Sequence, residues 1–276
     1  MAKEIIHFSH ANGFPAGVYR KLWAALGDDY DVRAIERIGH DPRYPVTPEW
    51  RCLRDELVDT LTREYTEPVW LVGHSLGGFL SLMAALKAPR LVRGVVMIDS
   101  PLVAPGWRAQ LLRLGLLTGL YERLSPAGVT KNRRMSWPDW DAAWSHFAGK
   151  PAFARWDEDV LHDYIDHGTH LVGAGPERTL AFRREIEYRI YLTLPRRLGA
   201  RAARGVPVPV GFLAGTRSRE LRQVGLAATR KIVGEHLRYI RGSHLFPMER
   251  PVETAAALRS MLADLRGDRT GRGRAA

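Results

Sequence analysis

The chain has 276 residues, 45% of them hydrophobic, and a formal net charge of +11 from 41 basic and 30 acidic residues. That length suffices for one large core, or for a core domain carrying an insertion. The single cysteine, Cys52, excludes an intrachain disulfide and points to a reducing compartment, expected to be the cytoplasm.

The amino terminus enters a strand at once, so no charged-then-apolar signal segment is expected. The most apolar later stretch, Leu111 to Leu120, is short, contains Arg113 and is flanked by Arg108 and Arg123, so it cannot span a bilayer. Only six of the basic residues are lysine, and the arginines are scattered along the chain. That pattern reads as compositional bias, so neither a nucleic-acid partner nor integral membrane association is expected. The Arg/Gly-rich end, Arg266 to Ala276, has no apolar residues to bury and is expected to be disordered.

Ile5–Phe8 reads as the first strand and runs into Ser9-His10-Ala11-Asn12-Gly13-Phe14-Pro15, a loop dense in turn formers. Val18 to Leu26 has helical apolar spacing, and Tyr30 to Ile35 is a second strand. Arg37 to Thr47 is a loop. Glu49 to Tyr65 is an amphipathic helix with Leu53, Leu57, Leu61 and Tyr65 on one face. Val69–Val72 is a buried strand, followed by Gly73-His74-Ser75-Leu76-Gly77-Gly78 and a helix from Phe79 to Leu86 that stops near Pro89. Strand, G-x-S-x-G turn and helix together are the context of a nucleophile elbow. Such a turn strains the backbone of Ser75 and leaves Gly73 and Gly77 no space for a Cβ.

Val92–Ile98 is the next strand and ends in Asp99-Ser100-Pro101. The alternation to this point implies a parallel sheet with helices on both faces, a doubly wound α/β fold. It then stops. Residues 102–205 show no strand pattern, and helices are expected over Trp107–Leu120, Trp137–Phe147, Glu158–His167 and Thr179–Leu192. A hundred residues is too long for a connector, so this stretch reads as an inserted helical cap. The sheet resumes at Pro207–Ala214, with a helix from Glu220 to Val233, a last strand over His236–Ile240, and a closing helix over Thr254–Leu265. The expected division is a core of 1–101 and 206–266, a cap of 102–205 and a tail of 267–276, with about six strands in the sheet.

A serine hydroxyl is a weak nucleophile at neutral pH. It needs a base within hydrogen-bonding reach, and that base needs an orienting acid. His244 follows the last strand in a Gly242-Ser243-His244 turn, at the sheet edge that carries Ser75, and is the candidate base.

His10–Pro15, the Gly73–Gly78 turn, the insertion after Asp99 and Gly242-Ser243-His244 together make the chain resemble the α/β-hydrolase fold family over roughly residues 4–265. The resemblance implies a serine hydrolase with a covalent acyl-enzyme, a small-molecule substrate and no metal or other cofactor. It implies an oxyanion hole made by the N–H of Leu76 and an N–H of the first loop, from Asn12 or, in a second alignment, from Phe14. The family commonly carries its acid in the loop after the sheet resumes, and there Ser218 stands at the usual aspartate position. Two substitutes remain: Asp99, at the end of the strand after the elbow, and Glu220. Two leading antiparallel strands common in the family are expected to be absent. Because the nucleophile is serine rather than aspartate, the resemblance to dehalogenases and epoxide hydrolases is architectural.

Other features carry less. His162, His167 and His170 lie close in sequence without a metal-ligand spacing. Trp137, Trp140, Trp144, Trp156 and Met135 would line an acyl pocket or fill a small helical core. Arg133, Arg134, Arg183 and Arg184 are expected on solvated surface, the alternative being that they meet a substrate carboxylate. Ester or thioester cleavage, C–C bond hydrolysis and acyl transfer all fit one triad, and a non-catalytic binding protein on the same fold is the reading from a different class.

Overall fold

The alternating strands and helices build a six-stranded sheet, ordered β2-β1-β3-β4-β8-β9, in which every neighbouring pair is parallel. In this computed structural model the described residues are 3–104 and 126–272, with Gly106, Leu114 and Glu122 between them, and side chains as far as residue 267. The strands are β1 (Glu4–Ser9), β2 (Tyr30–Ala34), β3 (Val69–His74), β4 (Val92–Ile98), β8 (Val210–Gly215) and β9 (Leu237–Ile240).

Every residue of β3 is buried, because both sheet faces are covered. Val69 and Leu71 pack on one side with Leu53, Leu57 and Leu61 of α2 (Arg51–Glu64) and with Leu80 of α3 (Leu76–Lys87). Trp70 and Val72 pack on the other with Leu22 and Leu26 of α1 (Arg20–Leu26) and with Leu258 and Leu262 of α12 (Pro251–Arg272). The helix expected from Glu49 begins at Arg51. Glu49 and Trp50 both have positive φ, +61° and +51°, which turns the chain before the helix starts.

Three expectations are corrected. The segment between β4 and β8 contains a small antiparallel sheet, β5-β7-β6, made of β5 (Ser136–Trp137), β6 (Thr169–Leu171) and β7 (Arg178–Leu180). These strands are two or three residues long, too short to display alternation. Around them lie α4 (Pro126–Lys131), α5 (Trp140–Ala148), α6 (Glu158–Gly168), α7 (Arg184–Leu192) and α8 (Leu198–Ala202). The helix expected over 107–120 lies outside the described residues. The helix expected from Glu220 to Val233 is two, α9 (Arg219–Val224) and α10 (Ala227–Val233), divided at Gly225 with φ +78°, and α11 (Phe246–Glu249) follows β9. The disorder expected from Arg266 does not begin there, and residues 273–276 of the expected tail lie outside the described residues. α12 continues to Arg272, and Arg266 pairs with Glu4 at the start of β1.

The segment between β4 and β8 is tied to the core by charge. Lys21 of α1 reaches Asp157 and Asp159 at 2.7 Å each, and Arg20 reaches Asp163 of α6 at 3.2 Å.

Candidate active site

Sheet register brings the chemistry-bearing loops to one edge. Ser9 pairs with Gly73, His74 with Ile98, Ile98 with Leu213 and Gly215 with Ile240. The strands therefore end in step, and the residues just past them, Asn12, Ser75, Asp99, Glu220 and His244, emerge at the same carboxyl edge.

Ser75 sits between β3 and α3 with φ +52° and ψ −113°, a backbone conformation that side chains other than glycine rarely adopt. Its N–H donates to Ile98 O at 2.9 Å, and its carbonyl accepts from Ser100 Oγ at 2.9 Å and Gly78 N at 3.1 Å. The turn is tight enough to forbid side chains at the flanking glycines. A Cβ on Gly73 would lie 2.2 Å from the carbonyl of Gly77, and one on Gly77 would lie 1.9 Å from the carbonyl of Ser9. Ser75 itself is partly exposed.

His244 Nδ1 lies 2.7 Å from Asp99 Oδ2. The fully buried Asp99 carboxylate also accepts from Gly215 N at 2.8 Å and Ser218 Oγ at 2.5 Å. A carboxylate only accepts, so Nδ1 carries the proton and Nε2 is left as the basic nitrogen. Glu220 stands farther off, 3.8 Å from Nδ1 and 39% exposed. The missing acid in the loop after β8 now has a physical reading. Ser218 occupies that place and donates its hydroxyl to Asp99, where a second carboxylate would repel it. Burial pushes the His244 imidazole pKa down, but the hydrogen bond and charge of Asp99, then the charge of Glu220, hold it above the usual 6.5.

Sequence reasoning missed a second connection. Ala11 N donates to Tyr19 Oη at 3.1 Å, Tyr19 Oη lies 2.8 Å from His74 Nδ1, and His74 Nε2 lies 2.9 Å from the carbonyl of His244. A carbonyl accepts, so Nε2 carries the His74 proton and Nδ1 receives that of Tyr19. Burial holds His74 far below the usual imidazole range, consistent with the neutral ring this chain requires. The bridge joins the loop after β1 to the His244 turn beneath Ser75. Its signal in the sequence was an ionisable residue inside a buried elbow.

In the loop after β1, Phe14 N is engaged with Ala11 O at 3.1 Å and Ala11 N with Tyr19, which favours Asn12 over Phe14 as the free donor. Leu76 is the first residue of α3, so its N–H has no intrahelical acceptor. The Asn12 side chain does not lie free. Its Nδ2 donates to Glu187 O of α7 at 3.0 Å. The Glu187 carboxylate pairs with Arg133 at 2.8 Å and accepts from Thr130 Oγ1 at 3.3 Å. Arg133 also donates to Tyr164. Arg133 is thus no solvated surface residue: its side chain is 14% exposed, because a buried carboxylate and a phenol enclose it.

A sequence profile of the Alpha/beta hydrolase family matches residues 8–257. The chain belongs to the alpha/beta hydrolase family. Mouse monoglyceride lipase is 38% identical over 109 residues, which cover 37% of this chain and 36% of that protein. The human monoglyceride lipase matches at 37% over the same length, 36% of that protein, so the alignment spans little more than a third of these curated relatives. Among solved structures, E-2-(acetamidomethylene)succinate hydrolase superposes with a TM-score of 0.73 at 23% identity, covering 95% of this chain and 92% of that one. The peroxisomal α/β-hydrolase Lpx1 of Saccharomyces cerevisiae gives 0.72 at 16% identity, covering 95% and 77%. At these identities the structures speak for the fold.

On this alpha/beta hydrolase frame the remaining candidates sort by packing. Trp137 and Trp156 are buried with Phe147, Phe153 and Tyr164 and serve as core. Trp140 and Trp144 stack on each other, ring centroids 5.3 Å apart. His162 is exposed beside Asp166 and His167 packs near Arg20, and among the described residues neither they nor His170 belong to a cluster with a metal's spacing. Among the described residues the converging ligand atoms are those of Asp99, Glu220 and His244, within 4.8 Å of one another. There Asp99 and His244 are joined by the 2.7 Å hydrogen bond. No helix among the described residues is long and apolar enough to cross a membrane.

Proposed function

We propose that the protein is a serine hydrolase that cleaves a small ester, thioester or related carbonyl substrate through an acyl-enzyme on Ser75. The observation that carries this reading is the 2.7 Å Asp99–His244 hydrogen bond at the sheet edge that bears the strained serine. In the proposed cycle His244 Nε2 takes the Ser75 proton as Oγ attacks the carbonyl. The N–H groups of Leu76 and Asn12 stabilise the tetrahedral oxyanion. His244 then gives its proton to the leaving group and activates water, which releases the acid and restores Ser75. Asp99 holds the tautomer and stabilises the imidazolium, while Glu220 acts on His244 only through its charge.

Residues 102–205 act as a cap that carries substrate selection, since α7 and the Arg133–Tyr164 contact lie over the loop that bears Asn12. The monoglyceride lipases are named for an ester substrate, which supports ester chemistry here. C–C bond hydrolysis and acyl transfer use the same set of residues. The reading as a non-catalytic binding protein rests on the missing usual acid, and the Asp99–His244 hydrogen bond weighs against it. The single cysteine fits a reducing cytoplasm.

The test is covalent labelling with a fluorophosphonate probe, read by intact mass and site mapping, then a screen of ester and thioester chain lengths. Labelling at Ser75 that is lost in Ser75→Ala is expected. A folded protein that neither labels nor turns over any of these substrates would overturn the reading.

A further inference from the structure

Two buried tyrosine–histidine hydrogen bonds in this protein share one geometry and differ in what they reach. Tyr19 Oη lies 2.8 Å from His74 Nδ1, with ring centroids 5.9 Å apart and planes at 77°. Tyr65 Oη lies 2.8 Å from His7 Nδ1, with centroids 5.8 Å apart and planes also at 77°. All four side chains are buried. The Tyr65–His7 pair ends there. His7 Nε2 has no hydrogen-bond partner among the described residues, and Tyr65 precedes β3, whose far end carries Ser75. The Tyr19–His74 pair continues at both ends, to Ala11 N and to the carbonyl of His244.

Those two ends are backbone of the candidate site. Ala11 is held on both sides. Its N–H donates to Tyr19 Oη at 3.1 Å, and its carbonyl accepts from His10 Nδ1 at 2.8 Å and from Phe14 N at 3.1 Å. His10 is itself locked, with Nε2 accepting from Ile38 N at 2.8 Å. A trans peptide unit is planar, so pinning the Ala11 carbonyl aims the Asn12 N–H in the opposite direction. Only φ and ψ of Ala11 join that plane to the one before it, and Tyr19 holds the one before it. At the other end, His74 Nε2 donates to the carbonyl of the residue that bears the candidate base. The donors run one way, from Ala11 N–H through the Tyr19 hydroxyl and the His74 Nε2–H to the His244 carbonyl. Tyr19 is 2% exposed and His74 0%, so neither can touch a substrate.

We propose that Tyr19 and His74 are positioning residues that hold the Asn12 N–H and the His244 base in a fixed relation to each other, acting through backbone alone. The inference rests on the serine-hydrolase reading and adds two residues to its machinery. The oxyanion donor and the base must meet one tetrahedral centre, and a misplacement of about 1 Å costs about a hundredfold in rate. Because neither side chain contacts the substrate, their loss is read in kcat and not in KM.

The test measures kcat, KM and the pH profile on an active ester for four folded variants. Tyr19→Phe frees Ala11 N and should lower kcat about tenfold or more, with KM within about threefold of the parent. Tyr65→Phe removes the matching bond elsewhere and should keep kcat within about twofold, whatever stability it costs. His74→Asn keeps an acceptor for Tyr19 but has no donor that reaches the His244 carbonyl. Its base loosens from Asp99, so kcat should fall about tenfold or more and the rate limb set by His244 should move to lower pH. His74→Gln, whose amide reaches the place of Nε2, should leave that limb where the parent has it. Folded Tyr19→Phe and His74→Asn with parental kcat would overturn the inference, as would an equal loss in Tyr65→Phe or an unmoved limb in His74→Asn. If neither Tyr19→Phe nor His74→Asn folds while Tyr65→Phe does, the pair is structural and the inference fails. Fluorophosphonate labelling separates the two levels: a labelled, active parent with indifferent variants fails here alone, and an unlabelled, inactive parent fails the hydrolase reading with it.

Discussion

Asp99→Asn should cripple turnover while leaving the fold in place, and the contacts of the carboxylate say why. Oδ1 accepts from Gly215 N, and an amide oxygen can keep that bond. Oδ2 receives two donors, His244 Nδ1 and Ser218 Oγ. With a nitrogen in its place, Ser218 can turn its hydroxyl to accept, but His244 must offer a bare Nδ1 and move its proton to Nε2. The imidazole then presents a proton to Ser75 where a lone pair is required. A wrong-tautomer change of this type in a serine triad costs about 10³–10⁴ in kcat, or roughly 4–5 kcal/mol of barrier. Glu220→Gln is the control. At 3.8 Å from His244, with no hydrogen bond to it and a side chain 39% exposed, it should cost less than about tenfold. The assay is kcat/KM on an active ester across pH 5–9, with the fluorophosphonate inactivation rate as a second readout. The parent rate should rise through a pKa above 6.5, because the base works only when neutral and Asp99 and Glu220 raise its pKa. Glu220→Gln should move that limb to lower pH without lowering the plateau much. The stabilising charge pairing has the opposite pH sense: it is fully present below 6.5 and fades as pH rises through the folded pKa of His244. An Asp99→Asn variant with more than a tenth of parent activity, alongside a severely impaired Glu220→Gln, would refute the assignment of the acid.

Gly77→Ala drives a Cβ to 1.9 Å from the Ser9 carbonyl, a backbone clash no rotamer relieves. It should cost about 3 kcal/mol or more and abolish labelling at Ser75, and a melting temperature within about 2 °C of the parent would contradict this. Arg133→Met leaves the Glu187 carboxylate buried and unpaired, for a loss of about 3 kcal/mol or more by denaturant titration. The double change Arg133→Met with Glu187→Leu should recover most of that loss, and a neutral single variant would show that the pair is not desolvated. Burial pushes the Glu56 carboxyl up to about 7 from 4.5, so the unfolded chain ionises first and the parent loses stability as pH rises between those values. Glu56→Gln keeps an acceptor for Gly39 N. Its advantage in unfolding free energy should be absent at pH 4.5 and grow to as much as about 3 kcal/mol by pH 8. A pH-independent difference would mean that Glu56 titrates normally.

What the sequence displayed was whatever local chemistry dictates. The Val69–Val72 run with its glycines announced the strand and the elbow, because burial on two faces and a turn without Cβ atoms leave few residue choices. The Val92–Ile98 strand was legible to the residue, while Asp99 at its end was one of two acids the family resemblance left open, Glu220 being the other. Other features depend on partners far along the chain. Tyr19 read as a core position on a helix, yet its hydroxyl joins two loops, and nothing local distinguishes the two roles. Arg133 read as surface because its partner, Glu187, lies 54 positions away. The strands β5, β6 and β7 were illegible because they are held by pairing with one another and are too short to show a period. The Gly173–Gly175–Pro176 turn between β6 and β7 was the cue that strand reasoning passed over.

The position of Asp99 has a consequence for how this chain can vary. Ser75 and Asp99 sit one residue beyond adjacent, hydrogen-bonded strands, and the serine N–H is bonded to the carbonyl that precedes the aspartate. The proposed nucleophile and acid are therefore laid down together within the first hundred residues, and only the proposed base, His244, must arrive from the far end of the sheet. An acid in the loop after β8 would place two of the three groups downstream of the long insertion. Here that loop supplies only a hydroxyl and a distant charge. The insertion can lengthen, shorten or be replaced by another of different shape without disturbing the spacing of serine and aspartate, and new substrate specificities can be tried on a reactive pair that stays put.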